Sequence, residues 1–299
     1  MRTKIPAAQR KQEWISFSFV LPSLIGITVF SMLPLVFSLY VSLTDWNFVK
    51  GLGNWKFVGL DNFAALFEDS WFIASLKNTV IYTAVTVPIS LVLALILAVL
   101  IDSFCYQKLA GVLRVTMYMP HICNIVATAS VWVMLYSSYG PFTLLVKALG
   151  WENPPLWLYD YTWSLPAVML VSIWNTLGYR VFIYSAGIQS LPGDLYEAAS
   201  IDGANSLQKF FHLTIPLLKP TTFFLTITGI LNSFKAFGLI NVMTQGGPGD
   251  STYTMVYYIY KCAFAYYKMG YGSAIAVVLF LMMLLVTLYQ WYHNQKPEY

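Results

Sequence analysis

Two runs of small polar residues inside otherwise apolar segments are the groups in this chain best placed to do chemistry. Ser172, Asn175, Thr176 and Tyr179 recur at i, i+3, i+4 and i+7, and Gly229, Asn232, Ser233 and Ala236 repeat that spacing. On a helix each set falls along one face. Their hydroxyls and amides offer neutral hydrogen bonds. Asn175 and Thr176 sit near the middle of one apolar segment, as Asn232 and Ser233 do in another, so the two faces can line a shared polar chamber at one depth. Small polar residues also let membrane helices pack closely, and spacing alone leaves both readings open. Lys235 and Arg180 are the two basic residues within these segments. Arg180 is expected near a membrane boundary, with its charged end reaching toward water. Lys235, further in, is expected to pair with a carboxylate on another chain, to contact a water-filled path or to meet an anionic substrate.

Catalysis finds no foothold in the sequence. The chain contains no GxxxxGK[ST] nucleotide loop, no HExxH and no GxSxG elbow. Cys105, Cys123 and Cys262 are too few and too scattered for a disulfide framework or a zinc site. His212 and His293 fall in polar segments and His121 near a membrane boundary, so structural or solvent roles are expected of them. No catalytic, cofactor-binding or metal-ligating residue is assigned, and the chain is not expected to be an enzyme.

With 58% hydrophobic and 10% charged residues in 299, the composition excludes a water-soluble domain of this length, which usually has about a quarter of its residues charged. The net charge of +4 is read as membrane topology, and no nucleic-acid partner is expected. Six stretches are long and apolar enough to cross a bilayer: Ile15–Leu43, Val80–Ile101, Val115–Tyr136, Trp163–Ile188, Thr221–Met243 and Ser273–Trp291. Pro22 and Pro34 are expected to bend the first, which exceeds the core of a cleavable signal and is expected to remain as an anchor.

Six spans put both termini on one side. That side receives Arg2, Lys4, Arg10, Lys11, Lys108, Arg114, Lys209, Lys219 and Lys296; the other receives Lys50, Lys56, Lys77, Lys147, Lys261 and Lys268. The richer side is cytoplasmic by the positive-inside rule. The expected organisation is a basic cytoplasmic terminus at 1–14, a first span at 15–43, an outer loop with an interfacial helix at 44–79, a core of five spans at 80–293 and a cytoplasmic tail at 294–299. In the outer loop, Phe63, Leu66, Phe67 and Phe72 lie beside acidic residues, as on an interfacial amphipathic helix. Between Ser251 and Tyr271, seven tyrosines suggest an aromatic belt at the outer membrane face.

Within the core, a cytoplasmic segment at 191–220 interrupts the apolar pattern. Leu191, Pro192 and Gly193 end one helix, and Asp194 is placed to cap a short new one. Glu197, Ala198 and Ala199 follow, then Asp202 and Gly203, with Gly203 read as a point of close backbone approach. Phe210, Phe211, Pro216 and Pro220 bound the return to the membrane.

The run from Glu197 to Pro220, EAASIDGANSLQKFFHLTIPLLKP, resembles without gaps the EAA loop of permease subunits of binding-protein-dependent ABC importers, in particular the sugar-importing, maltose-type branch (carbohydrate uptake family 1). The GGP in Thr244–Ser251 is similar to one after the same span in that family. The resemblance implies an all-α membrane protein with six transmembrane helices, cytoplasmic N- and C-termini and the type I ABC importer permease fold. It implies that Glu197, Ala198, Ala199, Asp202 and Gly203 form a coupling helix seated in a cleft of an ATP-binding subunit. Implied partners are a second homologous permease subunit, two ABC ATP-binding subunits that bind ATP and Mg, and an extracytoplasmic solute-binding protein. The implied location is a prokaryotic inner or plasma membrane, crossed several times. It further implies a substrate site near the bilayer midplane at Ser172, Asn175, Thr176, Tyr179, Gly229, Asn232, Ser233, Lys235 and Ala236. Gly229 and Ala236 are smaller than their maltose-type counterparts, which suggests a different or bulkier ligand. With Tyr179, Phe234 and Phe237, these neutral groups suit a sugar. Import of a glycerol phosphate or sugar acid stays open as an alternative; an ion-coupled secondary carrier leaves the cytoplasmic motif unexplained and lacks an intramembrane carboxylate.

Overall fold

Helices supply nearly all of the architecture, as expected of a chain whose backbone must satisfy its own hydrogen bonds in lipid. The computed structural model describes residues 7–51, 53–104 and 107–294. The helices in order are α1 Ala7–Ile27, α2 Leu33–Val41, α3 Asp61–Glu68, α4 Ser70–Phe104, α5 Gln107–Ile122, α6 Ile125–Leu135, α7 Pro141–Ala148, α8 Ser164–Gln189, α9 Gly193–Ile201, α10 Ser206–Lys209, α11 Ile215–Leu217, α12 Lys219–Phe234, α13 Gly238–Met243, α14 Met255–Tyr260 and α15 Met269–Asn294. Among the described residues no strand forms beyond isolated bridges at Thr44–Phe57 and Asn47–Lys268. Five segments are long and apolar enough to cross a membrane: Ile15–Val41, Ser70–Ser103, Ser164–Gln189, Lys219–Met243 and Met269–Tyr292. The pair Lys108–Ile122 and Ile125–Leu135, bent by 96° at its break, makes a sixth when the two are counted as one crossing. Arg2, Lys4, Cys105 and Lys296 lie outside the described residues.

The chain divides into two compact units, one running up to Ala65 and including Lys261–Val278, the other comprising Leu66–Tyr260 and the residues from Leu279. In the first, α1 leads through a wide helical turn at Thr28–Met32 into α2, directly ahead of Pro34. Such a turn lets a helix pass a proline without losing its course. The loop after α2 is pinned by Asn62, whose Nδ2 donates to the Ser42 and Thr44 carbonyls at 2.8 Å each. Trp46 packs there with Phe37, Phe48 and Trp55.

In the second unit, α4 carries small residues every four or so positions. Ser75, Thr79, Thr86, Ser90, Ala94 and Ala98 are all buried. Their hydroxyls bond back into the helix, as Thr79 Oγ1 does to Ser75 O at 2.7 Å, so they need no outside partner. This face lets α4 pack closely. Ala94, Ala98 and Ile101 of α4, Ala110 of α5, Val181 and Tyr184 of α8, and Leu225 of α12 meet in the apolar core. The α5 and α8 backbones approach so nearly that a Cβ at Gly178 would lie 1.7 Å from the Met117 carbonyl oxygen.

Several expectations are corrected here. The stretch Val115–Tyr136 is not one straight span, because the ladder breaks at Cys123 and Asn124. Phe72 belongs to α4, which begins at Ser70, ahead of the expected second span. The tyrosines after Ser251 do not all form a belt: Tyr253, Tyr257 and Tyr258 are buried. Tyr257 Oη donates to the Gln245 carbonyl at 2.6 Å and Tyr258 Oη to Asp69 Oδ2 at 2.5 Å. A buried phenol needs such a partner.

Gly178→Ala is expected to lower the thermal unfolding midpoint of the purified protein, at a cost of about 1–3 kcal/mol from overpacking. Gly111→Ala, on a face with nothing within 4 Å, is expected to leave it unchanged or slightly raised. Equal midpoints for the two variants would contradict the close α5–α8 crossing.

Candidate substrate cavity and cytoplasmic helix

Two helix breaks define the candidate site, and each is held by a side chain. At the first, Pro120 lies in the last turn of α5, and Asn124 starts α6 by accepting a 2.8 Å hydrogen bond from the Val126 N–H on its own Oδ1. The turn frees the Pro120 carbonyl, which accepts a 2.8 Å bond from Asn175 Nδ2 on α8. At the second, α12 ends at Phe234, with Lys235 as its C-cap, and α13 starts at Gly238. The Ala236 carbonyl there accepts from Thr254 Oγ1 at 2.9 Å. Irregular backbone is tolerated at membrane depth where it borders a cavity.

Between these breaks lies a cavity of about 520 Å³. All four residues expected on α8, Ser172, Asn175, Thr176 and Tyr179, line it. So do all five expected from the other run, Gly229, Asn232, Ser233, Lys235 and Ala236. The two helical faces therefore meet around one space. Their side chains are not equally available to a ligand. Asn175 is buried with its amide donor committed to Pro120, while Asn232 and Lys235 are exposed. Lys235 caps the C-terminal end of α12, within the crossing segment Lys219–Met243.

The cavity includes residues that spacing did not single out. Tyr82 and Thr86 reach it from α4, and Thr86 Oγ1 lies 3.5 Å from Ser233 Oγ. The hydroxyls of Thr83, Thr86 and Ser90 in the uncharged span Val80–Ile101 were a signal for this face. His121 also lines the cavity, stacked on Tyr179 with ring centroids 5.0 Å apart and planes 22° apart. That neighbour is non-local, so nothing beside His121 in the sequence announces it.

Arg180 is a correction. It does not reach toward water but is 6% exposed and lines the cavity. Its Nη1 donates to the Val87 carbonyl at 3.0 Å and to Ser90 Oγ on α4. A Cβ at Gly229 would stand 2.8 Å from Arg180 Nη2. The missing side chain at Gly229 therefore makes room for a guanidinium, and not for a bulkier ligand as its small size suggested.

At the other candidate site, α9 contains Glu197, Ala198 and Ala199, and none of its residues is buried. Its N-cap is Pro192, with Asp194 in the first turn instead of capping. Gly203 has φ +80° with nothing within 4 Å of a built Cβ. Its requirement is thus a left-handed backbone and not close approach. Asp202 precedes it as the C-cap of α9, and Asn205 and Gln208 form a reciprocal capping box that starts α10. Tyr196 Oη lies 3.0 Å from Thr214 Oγ1, tying α9 to the following segment. Ile201 is 87% exposed, with Leu207 and Phe211 also exposed nearby.

Membrane-length helices, two of them broken around a polar cavity, joined to a short helix presented outside the core, define a transport permease. The chain belongs to the family of binding-protein-dependent transport system inner membrane components, whose sequence profile matches residues 12–298. It is 33% identical over 285 residues to the lactose transport system permease protein of Rhizobium radiobacter, covering 94% of each chain. It is 32% identical over 296 residues to the sn-glycerol-3-phosphate transport system permease protein of Yersinia enterocolitica, covering 96% of each. The fold matches the crystal structure of a bacterial ABC transporter involved in the import of the acidic polysaccharide alginate, with a TM-score of 0.84 at 22% identity over 97% of this chain and 98% of that one. This protein is therefore a multi-pass membrane permease of an ABC importer, with the fold that the resemblance implied.

Asn175→Leu is expected to leave the Pro120 carbonyl without its donor, costing about 1–3 kcal/mol and lowering the thermal midpoint. Asn232→Leu, at an exposed side chain, is expected to leave stability nearly unchanged. An unaltered midpoint in Asn175→Leu would show that the break does not depend on this bond.

Proposed function

We propose that this chain forms half of the translocation pathway of an ATP-driven importer, passing a sugar or oligosaccharide handed over by an external solute-binding protein. The observation that carries this reading is the cavity, where hydroxyls and amides of α4, α8 and α12 converge beside Tyr179 and Phe237. A sugar needs hydrogen-bond partners for its hydroxyls and an aromatic surface for its ring faces. The lactose permease relative supports the cargo class. An ion-coupled carrier would need an ion-binding carboxylate, and among the described residues no Asp or Glu lines the cavity.

The rest of the machine is other chains: a second homologous permease, two ATP-binding subunits carrying ATP and Mg, and the binding protein, assembled in a prokaryotic inner or plasma membrane. In this reading Glu197, Ala198, Ala199, Asp202 and Gly203 form the coupling surface. The helix α9, none of whose residues is buried, ends on the exposed Ile201 with exposed Leu207 beyond it, and this supports the reading, since an apolar rim left open on a small helix suits burial in a partner cleft. Closure of the ATP-binding subunits would move the two coupling helices together and turn the cavity from one side of the membrane to the other.

The test is reconstitution of the chain with its partner subunits and binding protein in proteoliposomes. Solute uptake is expected only with ATP, and uptake without ATP would sink the proposal. Glu197→Lys and Gly203→Asp are expected to assemble but to lose most of the solute-stimulated ATPase activity. Full stimulation in both would remove the coupling role of α9. The affinity of the binding protein across mono- and oligosaccharides then identifies the sugar.

A further inference from the structure

The cavity carries positive charge that the neutral-sugar chemistry leaves unused. Arg180 is buried, yet its hydrogen bonds run only through Nη1, to a carbonyl and a hydroxyl, neither of which offsets a full charge. Its Nη2 lies against Gly229, another cavity-lining residue. Lys235 lines the same space without an ion-pair partner among the described residues. His121 adds a third nitrogen-bearing group, with its Nδ1 buried and without a hydrogen-bond partner. Against these, the described lining contains no carboxylate. A guanidinium held out of water without a counter-charge is costly, and the cost falls when an anion enters.

We infer that the cavity takes a polyhydroxylated solute bearing an anionic group, a carboxylate or phosphate on a sugar or polyol, with Arg180 and Lys235 as the residues that select the charge. The inference rests on the proposed role of this cavity as the solute site and narrows its substrate class. The hydroxyl groups of α8 and the Asn232 amide of α12 hold the polyol body. The planar guanidinium, anchored on α4 by one nitrogen, presents its remaining N–H groups to the acid oxygens. Gly229 is the small residue that allows this placement.

The assembled permease and ATP-binding subunits, in lipid nanodiscs and without the binding protein, provide the test. Ala236→Cys, in a chain whose Cys105, Cys123 and Cys262 have been replaced, reports cavity occupancy by its rate of labelling with a maleimide. The probes are two matched pairs, galactose with galacturonate and glycerol with glycerol-3-phosphate, together with inorganic phosphate. The charged member of each pair is expected to protect at about tenfold lower concentration than the neutral one. Arg180→Gln is expected to erase that difference and Arg180→Lys to retain part of it. Lys235→Gln, at an exposed side chain, reduces it in a chain whose fold does not rely on the substituted group.

Equal protection by charged and neutral probes would overturn the charge assignment and leave the sugar reading standing; a partner-chain carboxylate that already neutralises Arg180 would produce this result. Protection by inorganic phosphate as strong as by glycerol-3-phosphate would overturn the polyol part. A charge preference unchanged in both Arg180→Gln and Lys235→Gln would overturn the roles of these residues. Absence of protection by any probe would overturn the solute-site reading itself.

Discussion

Backbone carbonyls released inside a membrane must find donors, and this constraint organises the functional half of the molecule. Two helical crossings break, at Cys123–Asn124 and at Lys235–Phe237, and each break would leave polar backbone in a medium without water. The structure answers with side chains from elsewhere in the chain, Asn175 of α8 to the Pro120 carbonyl and Thr254, just ahead of α14, to the Ala236 carbonyl. These ties hold open a space that two continuous helices would fill with side chains. The cavity is thus a consequence of how the breaks are satisfied.

A second requirement is close approach. The buried Ser, Thr and Ala face of α4 and the glycine at 178 on α8 bring backbones near one another, with the hydroxyls of Ser75, Thr79, Thr86 and Ser90 bonded back into their own helix. Close packing also explains how Arg180 can be buried at all. From α8 it reaches the Val87 carbonyl and Ser90 on α4, because Gly229 on α12 leaves its guanidinium room. A charge that would otherwise extend toward the membrane surface is drawn into the cavity wall.

Outside the core the logic reverses. No residue of the helix at Gly193–Ile201 is buried, yet its conformation is closely specified. Proline sets its start, a left-handed glycine turns the chain after it, and a capping box begins the next helix. Well-specified local geometry with an exposed apolar rim suits the mechanical contact proposed for this helix. A surface that yielded to its partner would absorb movement instead of transmitting it.

Much of this was legible without coordinates. The apolar runs gave the crossings, the i, i+3, i+4, i+7 pattern gave both cavity-lining faces, and the run from Glu197 to Pro220 gave the family. These features are local, since periodicity and composition act within one segment. The sequence by itself determined that the chain crosses a membrane and which residues share a face. Only the tertiary structure decided that Asn175 secures a carbonyl of another helix, that Arg180 turns inward and that His121 stacks on Tyr179. Each of these depends on a partner far away in the chain, which no spacing along a single helix can reveal, and burial of a charge depends on whether a neighbouring helix leaves it room.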